Sequence, residues 1–120
     1  MTIAFTTSGE DLEARLDSRF GRAPQFLVYD LDLNTFRVVD NQASQDASQG
    51  AGIQAAETMA RLGVGGLVTG HCGPNAVRVL RAAGIAIYTT NLPTVSEALD
   101  AYRAGSLTRL ESADVEGHWT

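Results

Sequence analysis

Two side chains that can bind metal ions stand next to each other in the chain. His71 and Cys72 lie between Gly70 and Gly73, and Pro74 follows them. An imidazole and a thiolate are ligands that soft transition metals accept. Pro74 predicts that a strand turns into a helix here, because proline is frequent at the first helical position. Since the first N–H groups of a helix attract anions, we predict a site for an anionic metal–sulfur species, with His71 and Cys72 as its metal ligands.

Arginine supplies all of the basic side chains. The chain has nine basic residues and no lysine, and Arg15, Arg19 and Arg22 cluster around Asp17. A guanidinium group forms charge-assisted hydrogen bonds to anions, so Arg19 and Arg22 are candidate contacts to the anionic species. Glycines at 50, 52, 70 and 73 would let the backbone approach a bulky ligand, because glycine has no Cβ atom.

Each of these residues also has a purely structural interpretation. Cys72 can be a small buried hydrophobic residue, and His71 a polar residue whose hydrogen bonds are satisfied within the fold. The two arginines can pair with Asp17 or Asp30, and the absence of lysine can reflect genomic base composition. The glycines can be ordinary loop residues, and Asn75 can satisfy the end of a helix. The side chains expected to pack in the core are Phe20, Phe26, Tyr29, Phe36 and Met59.

The pattern of apolar residues changes from β-strand to helix along the chain. Strands are predicted at Thr2–Thr7, Gln25–Asp30, Phe36–Asp40, Gly66–Thr69 and Ile85–Tyr88. Helices are predicted from Ile53 to Gly63, over Asn75–Ala83, and from the capping box at Thr94 to Gly105. The order β-β-β-α-β-α-β-α predicts an α/β fold with a mixed five-stranded sheet and helices on both faces.

The predicted topology places the candidate residues at one edge of the sheet. Ligands of open α/β sheets bind beyond the carboxyl ends of the parallel strands. Thr7–Gly9, which includes Ser8, and Gly70–Gly73 follow two such ends. Asn41–Gly52 is predicted to be a long loop that leads into a helix and reaches the same edge.

Composition limits the class of protein. The 120 residues predict a single α/β domain over 1–104 and an extension over 105–120, with a short strand at Leu107–Leu110 before the end frays. A net charge of −5 argues against nucleic-acid binding. No apolar stretch is long enough to cross a membrane, and the first residues do not resemble a secretory signal, so we expect a cytoplasmic protein. A single cysteine excludes an internal disulfide.

Several motifs together resemble those of the dinitrogenase iron–molybdenum cofactor biosynthesis family. They are Arg19–Pro24, Phe26–Asp30, Gly50–Ala56, Gly65–Gly70, Gly73–Ala76 and Ala83–Ile85, and the resemblance extends from Met1 to about Tyr102. The resemblance implies a ribonuclease H-like fold of three layers. It also implies binding of the iron–molybdenum cofactor, its precursors or a related metal–sulfur cluster. The orange proteins, which carry a molybdenum–copper sulfide cluster, are similar members.

The resemblance also implies a set of cofactor-binding residues. Many relatives have a histidine at the position of Ala51 in this chain. They often have a second histidine at the position of Arg22. His71 and Cys72 are therefore candidate alternative donors. The complete predicted set is Ser8, Arg19, Phe20, Arg22, Gly50, Ala51, Gly52, Gly70, His71, Cys72, Gly73 and Asn75.

Sequence motifs for catalysis are missing. A ribonuclease H nuclease needs clustered carboxylates for two metal ions, and the first strand, Thr2–Thr7, has none. A chain without lysine has no standard P-loop. His71 and Cys72 are adjacent, and adjacent residues rarely reach the geometry of a nucleophile–base pair. We therefore predict a protein without catalytic activity.

The sequence leaves three functional hypotheses. The first is a monomer or weak dimer that binds an anionic Mo-Cu-S or Mo-Fe-S cluster and carries it or helps to assemble it, with a cluster-accepting or regulatory protein as its partner. A protein-bound iron–sulfur cluster usually has about four cysteine ligands, so a cluster bound here must bring its own sulfides. The second is a metal-free module that regulates other proteins. The third is a domain that binds a small oxyanion or a phosphorylated metabolite.

Overall fold

The chain folds into a six-stranded mixed β-sheet. A computed structural model describes residues 1–111. The strands are β1 (Thr2–Thr7), β2 (Gln25–Asp30), β3 (Thr35–Asp40), β4 (Gly66–Thr69), β5 (Ala86–Thr89) and β6 (Thr108–Arg109). Their order across the sheet is β3-β2-β1-β4-β5-β6. The strands β1, β4 and β5 are parallel, while β2, β3 and β6 each pair antiparallel with a neighbour.

Four helices accompany the sheet within the described residues. They are α1 (Gln42–Gln45), α2 (Ala51–Leu62), α3 (Pro74–Ala82) and α4 (Val95–Arg103). The capping box predicted for α4 forms, because Oγ1 of Thr94 accepts a hydrogen bond of 3.2 Å from N–H of Glu97. Gly63 ends α2 at φ 71°, a left-handed conformation that glycine adopts without a steric penalty. None of the helices among residues 1–111 is long and apolar enough to span a membrane.

Two hydrophobic cores lie on opposite faces of the sheet. On one face, Met59 of α2 and Leu80 of α3 pack with Phe26. On the other face, Val95 of α4 packs with Phe5. Burying each of these larger apolar side chains contributes about 1.5–3 kcal/mol, so the two cores together hold the helices on the sheet. The result is the mixed α/β fold with helices on both faces that the sequence predicts.

The structure corrects the predicted strand count from five to six. The sixth strand is β6, in which Arg109 pairs with Tyr88 and Thr108 with Thr89 of β5. This pairing uses backbone groups of β5 that would otherwise stand open at the edge of the sheet. β6 lies within the segment where a short strand is predicted. The predicted fraying of the chain end falls outside the described residues.

Two further differences concern the loop and the edge. The predicted loop over Asn41–Gly52 contains the short helix α1, and α2 begins at Ala51. Phe36, expected in the core, is 40% exposed. It lies on the edge strand β3, where neighbouring elements leave it partly uncovered. Phe20, Phe26 and Met59 are buried as expected.

Candidate functional site

The candidate residues gather at the carboxyl ends of the parallel strands. Ser8 follows β1, Gly70 follows β4 and Thr90 follows β5. The strand ends are level with one another, because Thr69 of β4 pairs with Thr89 of β5 and N–H of Thr90 donates to the carbonyl of Thr69 at 3.0 Å. This is the edge at which ligands bind in open α/β sheets.

The loop from Ser18 to Arg22, here called the Ser18–Arg22 segment, extends this edge. Arg19 and His71 form an isolated parallel β-bridge. N–H of His71 donates to the carbonyl of Ser18 at 2.7 Å, and N–H of Phe20 donates to the carbonyl of His71 at 3.3 Å. Arg19 and His71 are both exposed. The backbone therefore holds a guanidinium group and an imidazole on adjacent, solvent-accessible positions.

Two glycines permit the close packing of the Ser18–Arg22 segment. A Cβ atom built on Gly70 would lie 2.6 Å from Cα of Ser18, and one built on Gly21 would lie 2.7 Å from N of Gly52. Both distances are far shorter than a nonbonded contact allows. The segment is therefore in direct backbone contact with the end of β4 on one side and with the first turn of α2 on the other.

The amino ends of α2 and α3 add positive potential near the segment. The N-cap residues are Gly50 for α2 and Gly73 for α3, and neither has a side chain that could cap the helix. The first turns of the two helices contain no acidic residue. The partial positive charge at a helix amino end favours an anion nearby, and Arg19 adds a full charge. The arrangement can stabilise an anionic ligand.

Arg22 has a structural partner. Its Nη1 donates to the carbonyl of Gln45 at 3.0 Å and to the carbonyl of Ala47. These carbonyls belong to the end of α1 and the connection to α2, so Arg22 secures the loop that precedes Gly50. The Nη1 group of Arg22 is thus used within the fold, and a contact to a ligand would have to come from its other N–H groups.

The remaining predicted residues have different environments. Cys72 is only 1% exposed and belongs to the apolar core that also contains Phe20. Asn75 is half-buried, and its Oδ1 accepts a hydrogen bond of 2.8 Å from Arg78. Ala51 and Gly52 are buried at the start of α2. The structure therefore brings Arg19 and His71 together at the surface, while Cys72, Phe20 and the first residues of α2 are buried.

The described residues do not contain a conventional metal site. Among residues 1–111, there is no group of three or more histidine, cysteine, aspartate or glutamate side chains that could hold a metal ion. Tetrahedral structural metal sites in proteins usually have four such ligands. A metal bound here through His71 would therefore need ligands that come with the cargo, such as sulfides.

A cavity of about 420 Å³ adjoins the site, and residues outside the predicted site set also line it. Ser8 and Arg19 line it as predicted site residues, while Arg15, Asn91 and Pro93 also line it. The loop after β5 follows a parallel strand just as Gly70 follows β4. The rule about carboxyl strand ends, applied to Ile85–Tyr88 as well, would have identified Thr90–Pro93.

One ion pair crosses the wall of this cavity. N–H of Arg19 donates to Oδ1 of Asp17 at 2.9 Å, and Nε of Arg19 lies 3.7 Å from the same oxygen. The Arg19 side chain is 50% exposed, so the pair contributes about 0–1 kcal/mol. The pairing with Asp17 considered in the sequence analysis is therefore present, and it is weak enough for Arg19 to contact a ligand as well.

The chain matches one family of known proteins along most of its length. The sequence model of the family described as dinitrogenase iron-molybdenum cofactor matches residues 1–105. No curated protein sequence matches the chain.

Solved structures with the same fold include close and distant relatives. The apo form of the orange protein from Desulfovibrio gigas is 40% identical with a TM-score of 0.91, over 95% of this chain and 96% of that chain. A candidate NifB protein from Thermotoga is 33% identical with a TM-score of 0.84, over 97% of this chain and 98% of that chain. A candidate dinitrogenase from Methanocaldococcus jannaschii, 15% identical with a TM-score of 0.71 over 93% and 96%, shares the fold.

Proposed function

The chain belongs to the dinitrogenase iron-molybdenum cofactor family, and from this we propose that it binds an anionic molybdenum-containing sulfide cluster, either Mo-Cu-S or Mo-Fe-S. It carries the cluster or helps to assemble it, and it catalyses no reaction of its own. The 40% identity to the orange protein over nearly all of both chains supports this proposal. A cluster-accepting or regulatory protein is the partner to which the cluster would pass.

One observation carries the proposal. The Ser18–Arg22 segment brings Arg19 beside His71 and packs against the first turn of α2, while α3 begins two residues after Cys72. A guanidinium group and an imidazole therefore lie on adjacent exposed positions, close in the chain to, or in backbone contact with, the segments where α2 and α3 begin. An anionic cluster accepts hydrogen bonds from guanidinium and N–H groups through its sulfides, so it needs few covalent bonds to the protein.

The residues have different roles in this proposal. Arg19 and the backbone N–H groups neutralise the negative charge of the cluster, and His71 offers an imidazole nitrogen to a copper or iron atom. Cys72 is covered by apolar side chains, so direct ligation by its sulfur requires the loop before α3 to open. We therefore assign the first contacts of the cluster to Arg19 and His71 and keep Cys72 as a candidate ligand behind them.

Reconstitution with defined metals tests the proposal. The full chain is incubated with tetrathiomolybdate and either copper(I) or iron(II), passed over a desalting column and analysed for molybdenum, copper and iron. We expect visible charge-transfer bands and a fixed ratio of retained metals. A protein that stays colourless and retains no metal under every condition would favour the second hypothesis, a metal-free module that binds other proteins.

Matched variants then test the site. Arg19→Gln and His71→Gln are each expected to weaken cluster retention by about tenfold, which corresponds to the loss of one charge-assisted hydrogen bond or one metal ligand. Arg37→Gln is the control, because Arg37 is exposed on β3 and lies outside the site. Thermal melting of the metal-free proteins shows whether the fold survives. Equal losses of stability and of retention would contradict a binding role for Arg19 and His71.

A further inference from the structure

Hydrogen bonds to main-chain carbonyls connect the walls of the cavity beside the candidate site. Its walls come from Ser8, from Arg15–Arg19 and from Thr90–Pro93, and its volume is about 420 Å³. N–H of Leu16 donates to the carbonyl of Pro93 at 3.0 Å, and Oγ1 of Thr7 donates to the carbonyl of Arg15 at 3.0 Å. These hydrogen bonds fix the walls relative to each other, and the cavity volume is within the range of about 300–1,000 Å³ that small-molecule sites occupy.

The start of α4 strengthens the same wall. N–H of Val95 donates to the carbonyl of Ala14 at 3.0 Å, and N–H of Ser96 donates to the carbonyl of Leu12 at 2.7 Å. These bonds join the loop before Arg15 to the first turn of the helix. A ligand that enters the cavity therefore meets fixed walls, so ordering of the loops takes little from its binding free energy.

Arg15 gives the cavity an excess positive charge. Among residues 1–111, no hydrogen bond or ion pair engages its guanidinium group. Arg19 and Asp17 line the cavity too, but they pair with each other across 3.7 Å. With two arginines and one aspartate, the lining has an excess of positive charge, and Arg15 is the arginine that no carboxylate pairs with among residues 1–111.

The other lining side chains divide into hydroxyl groups and apolar groups. Ser8, Ser18 and Thr90 place hydroxyl groups on separate wall segments, and Leu16, Leu92 and Pro93 provide apolar surface. A tetrahedral oxyanion directs its oxygens to several sides, so it can accept hydrogen bonds from donors on separate walls. The two oxygens of a planar carboxylate point mainly toward one wall. The apolar side chains match an organic group attached to that oxyanion.

We propose that this cavity binds a phosphate monoester of a small organic group. The phosphate contacts the guanidinium fork of Arg15 and the hydroxyl groups, and the organic part packs against Leu16, Leu92 and Pro93. The cavity adjoins the proposed cluster site and shares Ser8 and Arg19 with the predicted set of cluster-binding residues. His71 and the amino ends of α2 and α3 are absent from its wall, and the carbonyl of Ser18 is turned toward His71. The two proposals can be tested separately, because the phosphate titrations contain no metal.

Titration of the metal-free full chain tests this proposal. Phenyl phosphate, inorganic phosphate and phenol are added separately to isotopically labelled protein, and amide shifts and calorimetric affinities are measured. We expect phenyl phosphate to bind saturably with amide shifts at Ser8, Arg15 and Asn91. Inorganic phosphate should shift the same amides with lower affinity, and phenol should shift none of them.

Variants identify the contacts. Arg15→Gln is expected to weaken phenyl phosphate binding by about tenfold, the effect of one charge-assisted pair. Leu92→Glu, which adds a negative charge to another wall, should weaken it as well, while Arg37→Gln should leave it unchanged. Melting curves verify that each variant is folded.

Three results would overturn the proposal. They are the absence of saturable binding, amide shifts confined to the amino ends of α2 and α3, and wild-type affinity in both folded Arg15→Gln and Leu92→Glu proteins. Equal affinity for inorganic phosphate and phenyl phosphate would show that the cavity binds the phosphate without recognising the organic group. Because no metal is present in these titrations, none of the results depends on whether the chain binds a cluster.

Discussion

Replacing Gly70 with alanine distinguishes two reasons for a glycine at this position. The sequence suggests that Gly70 lets the backbone approach a ligand. In the structure, a Cβ atom on Gly70 would lie 2.6 Å from Cα of Ser18 and 2.7 Å from its carbonyl oxygen. Nonbonded heavy atoms prefer a separation of about 3.5–4.0 Å, so the Ser18–Arg22 segment would have to move by about 1 Å.

The magnitude follows from two costs. Overpacking of this kind costs about 1–3 kcal/mol, and the displaced segment also weakens the 2.7 Å hydrogen bond from N–H of His71 to Ser18, worth about 1 kcal/mol. We therefore expect Gly70→Ala to lower the free energy of unfolding of the metal-free protein by about 2–4 kcal/mol. The melting temperature should fall by about 10 °C.

Gly66→Ala is the matched control. Gly66 lies four positions earlier, in β4, and a Cβ atom there would be 3.5 Å from the nearest side-chain atoms of Ile3, an ordinary contact. We expect a change of less than about 1 kcal/mol, because alanine restricts the unfolded chain more than glycine does. Urea unfolding followed by circular dichroism measures both variants without metal.

The comparison can refute the packing argument. If Gly70→Ala is as stable as Gly66→Ala but no longer retains a cluster, Gly70 serves the approach of a ligand rather than the approach of Ser18. If stability and cluster retention both fall while Gly66→Ala is unaffected, the packing explanation stands.

Three further predictions concern other contacts. Arg22→Gln should lower the free energy of unfolding by about 1–2 kcal/mol and speed amide exchange in residues 42–50, because Nη1 of Arg22 donates hydrogen bonds to two carbonyls there. Unchanged amide exchange would contradict this role. Thr94→Ala should lower the free energy of unfolding by about 1 kcal/mol, because the N-cap of α4 is lost. The control Ser96→Ala should lower it clearly less, and equal losses in urea unfolding would contradict the role of the cap. Cys72 is 1% exposed, so iodoacetamide should modify it at least about a hundredfold more slowly in native protein than in urea, and similar rates would show that the loop opens readily.

Local signals in the sequence predict much of the fold. The turn between β2 and β3 forms because Oδ1 of Asp30 accepts from N–H of Asp32 at 2.9 Å and of Leu33 at 3.0 Å, and Asn34 adopts φ 56°. Aspartate and asparagine are suited to these positions, so residue types alone identify the hairpin. The cap at Thr94 is equally local. Such elements depend on neighbours within a few residues, which the sequence displays directly.

Contacts between distant residues are the part that the sequence does not display. The acceptors of Arg22 lie more than twenty positions away, at Gln45 and Ala47. The helix α1 has no apolar periodicity, so the sequence pattern predicts a loop there. A short strand is predicted at Leu107–Leu110, but the pairing of β6 with β5 is not visible in the sequence. Tertiary contacts decide these features, and a one-dimensional pattern carries little information about them.

The candidate site shows the same division. The sequence identifies Arg19 and His71 by their chemistry, and the structure places them side by side. The burial of Cys72 depends on Phe20 and other residues that converge only in the folded chain. Arg15 is noted in the sequence as one member of an arginine cluster, but its position in a cavity wall with Asn91 follows from the pairing of the loop before it with α4.

The Ser18–Arg22 segment has a consequence for when the protein can be loaded. The segment packs against Gly52 and against the end of β4 at Gly70. The residues Thr90–Pro93, which form another wall of the cavity, come later in the chain. A ribosome-bound nascent chain that has released only its first half contains Gly52 but lacks Gly70 and Pro93. Cargo that binds the native arrangement alone will therefore be accepted only after nearly the entire domain has emerged, and its uptake reports that synthesis and folding are complete.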